Sequence, residues 1–150
     1  MDLAMAPTAT RPAPRHLWIV GGLSLLWNAF GAFDYLMTVT QNEAYLGQFT
    51  AEQLAYFTGF PAWVVACWAV AVWSSVLGSA ALLARRAWAV WLFGVALAGM
   101  AGTSLYTLVL TDGPAVMGGL GQWLFTAAIW LVAIGLFLYA RAQARRGVLR

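Results

Sequence analysis

Residues 61–110 read PAWVVACWAVAVWSSVLGSAALLARRAWAVWLFGVALAGMAGTSLYTLVL, two long apolar runs separated by Arg85 and Arg86. Neither run alternates apolar with polar residues, so a strand reading fails. Each is long enough to cross a hydrocarbon core as a helix, which takes about 20 apolar residues. The pair predicts two membrane-spanning helices joined by a tight, charged turn. Working outward, the same pattern recurs on both sides. Charge-free windows cover 18 residues from His16 to Phe33, 32 from Gln53 to Ala84, 25 from Ala87 to Thr111 and 28 from Gly113 to Ala140. The whole chain of 150 residues is 63% hydrophobic and 9% charged, where a soluble domain carries about 25% charge. These values exclude a soluble globular domain, and with it most cytosolic enzymes and nucleic-acid modules.

The predicted fold is an all-α membrane protein, an up-down bundle of four transmembrane helices with a short amphipathic helical segment between helices 1 and 2. The spans fall at about 17–38, 61–84, 87–110 and 120–140, with the extramembrane segment at 40–60. Residues 1–16, with Pro7, Pro12 and Pro14 and no apolar periodicity, read as a flexible N-terminal tail, and residues 141–150 as a basic C-terminal tail. Basic residues followed by an apolar run and then Ala29-Phe30-Gly31 also imitate a signal peptide. The run stays apolar beyond Gly31, so four retained spans are expected.

All eight basic residues are Arg. They fall in the N-terminal tail (Arg11, Arg15), the turn between spans 2 and 3 (Arg85, Arg86) and the C-terminal tail (Arg141, Arg145, Arg146, Arg150). Asp34, Glu43, Glu52 and Asp112 lie at or beyond the opposite span ends. Basic residues are retained on the cytoplasmic side, which puts both termini inside. The net charge of +3 arises from segments flanking apolar spans, not from one polar face, so no nucleic-acid partner is expected. Trp18, Trp63, Trp88, Trp91 and Trp123 lie near span ends, where indole favours the headgroup level, while Trp27, Trp68, Trp73 and Trp130 lie deeper and read as packing residues.

Between spans 1 and 2, Thr40-Gln41-Asn42-Glu43 and Thr50-Ala51-Glu52-Gln53 both match the capping box, making Thr40 and Thr50 the expected helix caps. Tyr45, Leu46, Phe49, Leu54, Tyr56, Phe57 and Phe60 make this segment amphipathic, so it should lie against the bundle. Pro61 suits the first turn of span 2. Thr111-Asp112-Gly113-Pro114 is a turn signal.

Candidate functional residues are the polar ones inside the spans. Counting about 1.5 Å per residue from Leu17 puts Asn28 about 16 Å deep, at the middle of a core of about 30 Å, and Asp34 about 25 Å along. Ser24, Asn28, Gly31 and Tyr35 share one helical face, with Asp34 on its flank. Asn28 reads either as an interhelical hydrogen bond or as a pathway contact. Asp34 reads either as an acid reaching interfacial water or as a functional intramembrane carboxylate. Thr103 and Tyr106 in span 3, with Gln122 and Thr126 in span 4, add polarity that lines an outward cavity if those faces meet. Gly94, Ala98 and Gly102, and Ser75 with Ser79, recur every fourth position and predict close helix approach. One His and one Cys, His16 and Cys67, leave no haem or zinc set. No catalytic residue, cofactor or metal is therefore assigned, and the chain reads as a non-enzyme.

Trp27-Asn28, Gly31, Asp34-Tyr35, Thr38, Tyr45-Leu46, Phe49-Thr50, Glu52-Gln53 and Pro61-Ala62-Trp63 together resemble small bacterial four-span membrane proteins of uncharacterised function, some labelled sugar transporters. The resemblance covers roughly residues 27–86. It implies a multi-pass protein of a bacterial inner membrane. Two functions are expected from residues and resemblance together. One is binding or transport of a small solute through a homo-oligomeric bundle; the other is a non-catalytic accessory or scaffold subunit docked on a partner membrane protein.

Overall fold

A computed structural model describes residues 12–150; Asp2, Arg11 and most of the expected N-terminal tail lie outside the described residues. Four long helices dominate: α1 (Arg15–Val39), α4 (Ala62–Leu83), α5 (Ala89–Leu105) and α7 (Leu120–Arg145). Between α1 and α4 lie the short α2 (Glu43–Leu46) and α3 (Ala51–Thr58), and between α5 and α7 the short α6 (Gly113–Met117). A π-helical turn, Tyr106–Leu110, extends α5. With that turn included, four helices among the described residues are long and apolar enough to cross a membrane. They run alternately up and down as an all-α bundle in which α4 packs between α1 and α5, and α7 packs on α5. One end collects Arg15, Arg85, Arg86, Arg141, Arg145 and Arg146; the other collects Asp34, Glu43, Glu52 and Asp112.

The bundle turns large apolar side chains outward. Trp91 is 80% exposed, Leu131 72% and Phe30 69%, an apolar surface that suits lipid and is foreign to a water-soluble monomer. Two tryptophans expected as packing residues, Trp27 and Trp73, belong to this outer surface. Helices that are apolar all round carry little signal for which side faces inward. Trp68 and Trp130 are half-buried, and Trp130 Nε1 donates to Ser104 Oγ of α5 at 3.2 Å.

The α4–α5 seam is the tightest contact. A Cβ on Gly99 would come within 2.6 Å of the Cys67 carbonyl oxygen and 2.8 Å of the Ala71 nitrogen, and one on Gly102 within 2.7 Å of Cys67 Sγ. Of the expected small-residue stripe only Gly102 therefore serves this seam. Gly94 faces Phe137 of α7, and Ala98 is exposed.

At the basic end Leu17, Leu82, Phe93, Leu136 and Ala140 form a core completed by Val148 and Leu149. Residues 141–150, read from the sequence as a basic tail, are packed against the bundle. Helix α7 runs on to Arg145, and the chain folds back beneath the bundle. Gly147, at φ 70°, makes the reversal, with Val148 N donating to Gln143 O at 3.0 Å and Gly147 N to Ala144 O at 3.0 Å. This paired closure is a Schellman motif, and burial of Val148 and Leu149 gives the reversal its driving force. Arg150 N donates to Arg85 O at 2.7 Å, Ala87 N to Arg150 O at 2.6 Å, and Arg85 Nε to Val148 O at 3.2 Å.

Caps at the acidic end differ from expectation in one place. Thr50 and Gln53 form the reciprocal capping box of α3. Thr40 does not cap α2: it ends α1, its hydroxyl donating back to Leu36 O at 2.6 Å, and Asn42 caps α2 by accepting from Tyr45 N. An Asx side chain immediately before the first helical residue competes well with threonine for that role. Pro61 is the N-cap of α4, one residue ahead of the first turn. The turn signal at 111–114 opens into α6, with Pro114 in its first turn.

Candidate functional site

At the acidic end, the amphipathic segment lies against the bundle through its aromatic side chains. Phe33, Tyr45, Phe49, Phe57, Tyr56 and Phe60 link edge to face, and Phe60 continues to Trp68 and Tyr35 and to Tyr106 and Trp63, with ring centroids 5.1–6.4 Å apart. Edge-to-face contact is the favoured geometry for such rings. Tyr56 Oη and Thr111 Oγ1 lie 2.8 Å apart, tying α3 to the end of the π turn. Gly113 makes room for this: a Cβ there would meet Tyr56 Oη at 2.5 Å.

Under this aromatic layer lies a groove of about 150 Å³. Its walls are Leu46, Leu54, Phe57, Phe60, Val65 and Trp68, and its polar lining comes from Thr38, Gln41 and Thr58. No charged side chain lines it. The Thr38 hydroxyl donates to Asp34 O at 2.8 Å and the Thr58 hydroxyl to Leu54 O at 2.9 Å. Both proton donors are thus engaged, which leaves the two oxygens with acceptor capacity. The Gln41 carboxamide makes no hydrogen bond to another described residue, so it offers donor and acceptor alike.

Gln41 also has an unusual backbone. Helix α1 ends in a Schellman motif, Gln41 N donating to Thr38 O and Asn42 N to Met37 O, with Gln41 at φ 51°. That position normally takes glycine, because a Cβ in the left-handed region costs about 1–2 kcal/mol. The end of α4 repeats the pattern with Arg85 at φ 57°. There the side chain is used: Arg85 Nε holds Val148 O. Sequence reasoning missed Gln41, because its left-handed backbone is visible only in the fold.

The residues singled out from the sequence do not converge on this groove. Asn28 Nδ2 donates to Ser79 Oγ at 2.9 Å and to Ser75 O at 3.3 Å, joining α1 to α4, and Ser79 is fully buried. This is the interhelical bond of the two readings weighed for Asn28. Asp34 Oδ1 accepts from Tyr45 Oη at 2.5 Å and so fastens α2 to α1. Burial, then the hydrogen bond and charge of Asp34, push the Tyr45 hydroxyl up to about 12 from 10.0. Tyr35 packs edge to face on Trp68, 5.2 Å between centroids, and thereby backs the groove wall. Thr103 Oγ1 donates to Gly99 O within its own helix, and Gln122 Nε2 approaches Thr126 Oγ1 at 3.5 Å within α7. Tyr106 stacks edge-on with Phe60 and Trp63. The span-1 set therefore meets α4 and α2, whereas Thr103 and Gln122 stay with their own helices. Among the described residues no three His, Cys, Asp or Glu gather as metal ligands.

Compared with known protein families, characterised proteins and solved structures, the chain matches none of them.

Proposed function

We propose that this chain is a multi-pass protein of a bacterial inner membrane that binds a small, uncharged solute at its acidic end. Both termini lie in the cytoplasm, and the groove opens on the opposite side. The observation that carries the reading is the groove itself: aromatic walls, threonine acceptors and an unengaged Gln41 amide held at a strained backbone position. Convergent polar groups on an apolar wall are the usual make-up of a small-molecule site, and about 150 Å³ restricts the occupant to something smaller than a drug-sized ligand. The groove provides hydroxyl and amide groups, which suit recognition of a polar, uncharged solute. Recognition at this position serves uptake or export by a homo-oligomer, since four helices with so much outward apolar surface enclose little pathway alone.

A second reading is favoured by one observation. Helix α7 is the least buried of the four long helices and exposes Leu120, Leu124, Leu131 and Leu138. This surface suits an accessory subunit docked on another membrane protein. Native mass spectrometry after mild detergent extraction from the protein's own membranes separates the two. A retained small uncharged molecule on a homo-oligomer, lost in Gln41→Ala, supports solute binding. A stoichiometric complex with a different protein and no retained molecule overturns it in favour of the accessory role.

A further inference from the structure

The basic end of α7 carries a second, chemically different feature, a shallow open patch formed by Leu138, Arg141, Ala142, Arg145 and Arg146 of this one helix and its cap. Arg141 and Arg145 stand one turn apart on one helix face, and Leu131, Ile134 and Leu138 continue that face toward the middle of the span. All five side chains are exposed. The face therefore reads as apolar stem and cationic head, in the orientation of a lipid beside a helix.

Among the described residues no acid lies beside this charge. None of the three guanidiniums makes an ion pair or a hydrogen bond with another described residue, and the four acids among the described residues, Asp34, Glu43, Glu52 and Asp112, sit at the opposite end of the bundle. Guanidinium groups bind phosphate oxygens through paired, charge-assisted hydrogen bonds, and basic pockets at the cytoplasmic ends of membrane helices take anionic headgroups. Topology alone requires positive charge near this boundary. It does not require that charge to share a helix face with an exposed leucine stripe. We infer that Arg141, Arg145 and Arg146 hold the phosphate of an anionic phospholipid whose acyl chain lies along Leu138 and Leu131.

The inference rests on α7 spanning a bilayer, and the test keeps the two apart. The full chain is purified in detergent, stripped of lipid and titrated with phosphatidylglycerol or phosphatidylcholine, with bound lipid read by native mass spectrometry. Wild type should retain phosphatidylglycerol about tenfold more strongly than phosphatidylcholine. In R141Q/R145Q the preference should vanish. In R86Q/R150Q, which removes equal charge from the same end, it should persist. The substituted side chains are exposed, and unchanged gel-filtration profiles verify the fold. An unaltered preference in R141Q/R145Q, an equal loss in R86Q/R150Q, or displacement of the lipid by millimolar inorganic phosphate overturns the assignment. Release of wild type from membranes by alkaline carbonate overturns the spanning helix, and the lipid site with it. Retention in the membrane without lipid preference overturns the lipid site alone.

Discussion

Gln41 concentrates the residue-scale argument, because folding energy and binding pull on it in opposite directions. Gln41→Gly relieves the left-handed backbone and should stabilise the chain by about 1 kcal/mol. It also removes the groove's unengaged amide, so solute retention should fall while the melting temperature rises. Asn28 should behave the other way. Its interhelical bond is worth about 0.6 kcal/mol on average for this class, so Asn28→Ala should lower the melting temperature slightly and leave solute binding intact. Tyr45 gives a pH signature. Its hydroxyl ionises at about 12 in the fold against 10.0 unfolded, so its neutral form favours the folded state. That contribution is fully present below pH 10 and is lost as pH rises toward 12. Thermal melts across this interval should show an alkaline decline that Tyr45→Phe reduces; an equal decline in the variant contradicts the assignment.

At the scale of elements, the long helices were legible because charge-free length is a direct measure of a span. Their facing sides were not. In α5 the glycines and alanines are so frequent that a stripe at every fourth position through Gly94, Ala98 and Gly102 looks as good as the true seam through Gly99 and Gly102. Hydrophobic periodicity discriminates only when the opposite face is polar. Gly99→Val should therefore be severely destabilising, by about 1–3 kcal/mol or more, since the obstacle is the backbone of α4 and cannot rotate away. Gly94→Ala, with only ordinary contact to Phe137, should be close to neutral. The fold-back after α7 was hidden for another reason. Four arginines in ten residues mark 141–150 as solvated, and only Gly147 followed by Val148-Leu149 hints at a helix stop with a hydrophobic tail. Leu149→Ala should lower stability by about 2 kcal/mol, read as a drop in the unfolding midpoint.

For the molecule as a whole, span number and alternation of direction follow from where thirteen charges fall along 150 residues. The candidate site was only partly legible. Tyr35 and Thr38 were within the quoted motifs, and the aromatic segment was expected to lie against the bundle, but the groove depends on how α2 and α3 fold over α1 and α4. Polar residues near one level of a membrane do not converge unless their helices are neighbours, and here α4 separates the polar face of α1 from α5. The central claim is a four-span chain with its basic end in the cytoplasm and its groove outside. Labelling intact cells with a membrane-impermeant maleimide tests it most directly, using Cys67→Ser proteins that carry Gln48→Cys or Arg146→Cys. Both positions are exposed, one beside the groove segment and one at the basic end. Labelling of Gln48→Cys in intact cells, with Arg146→Cys labelled only after permeabilisation, is the predicted result. The reverse pattern, or both positions labelled without permeabilisation, contradicts the account.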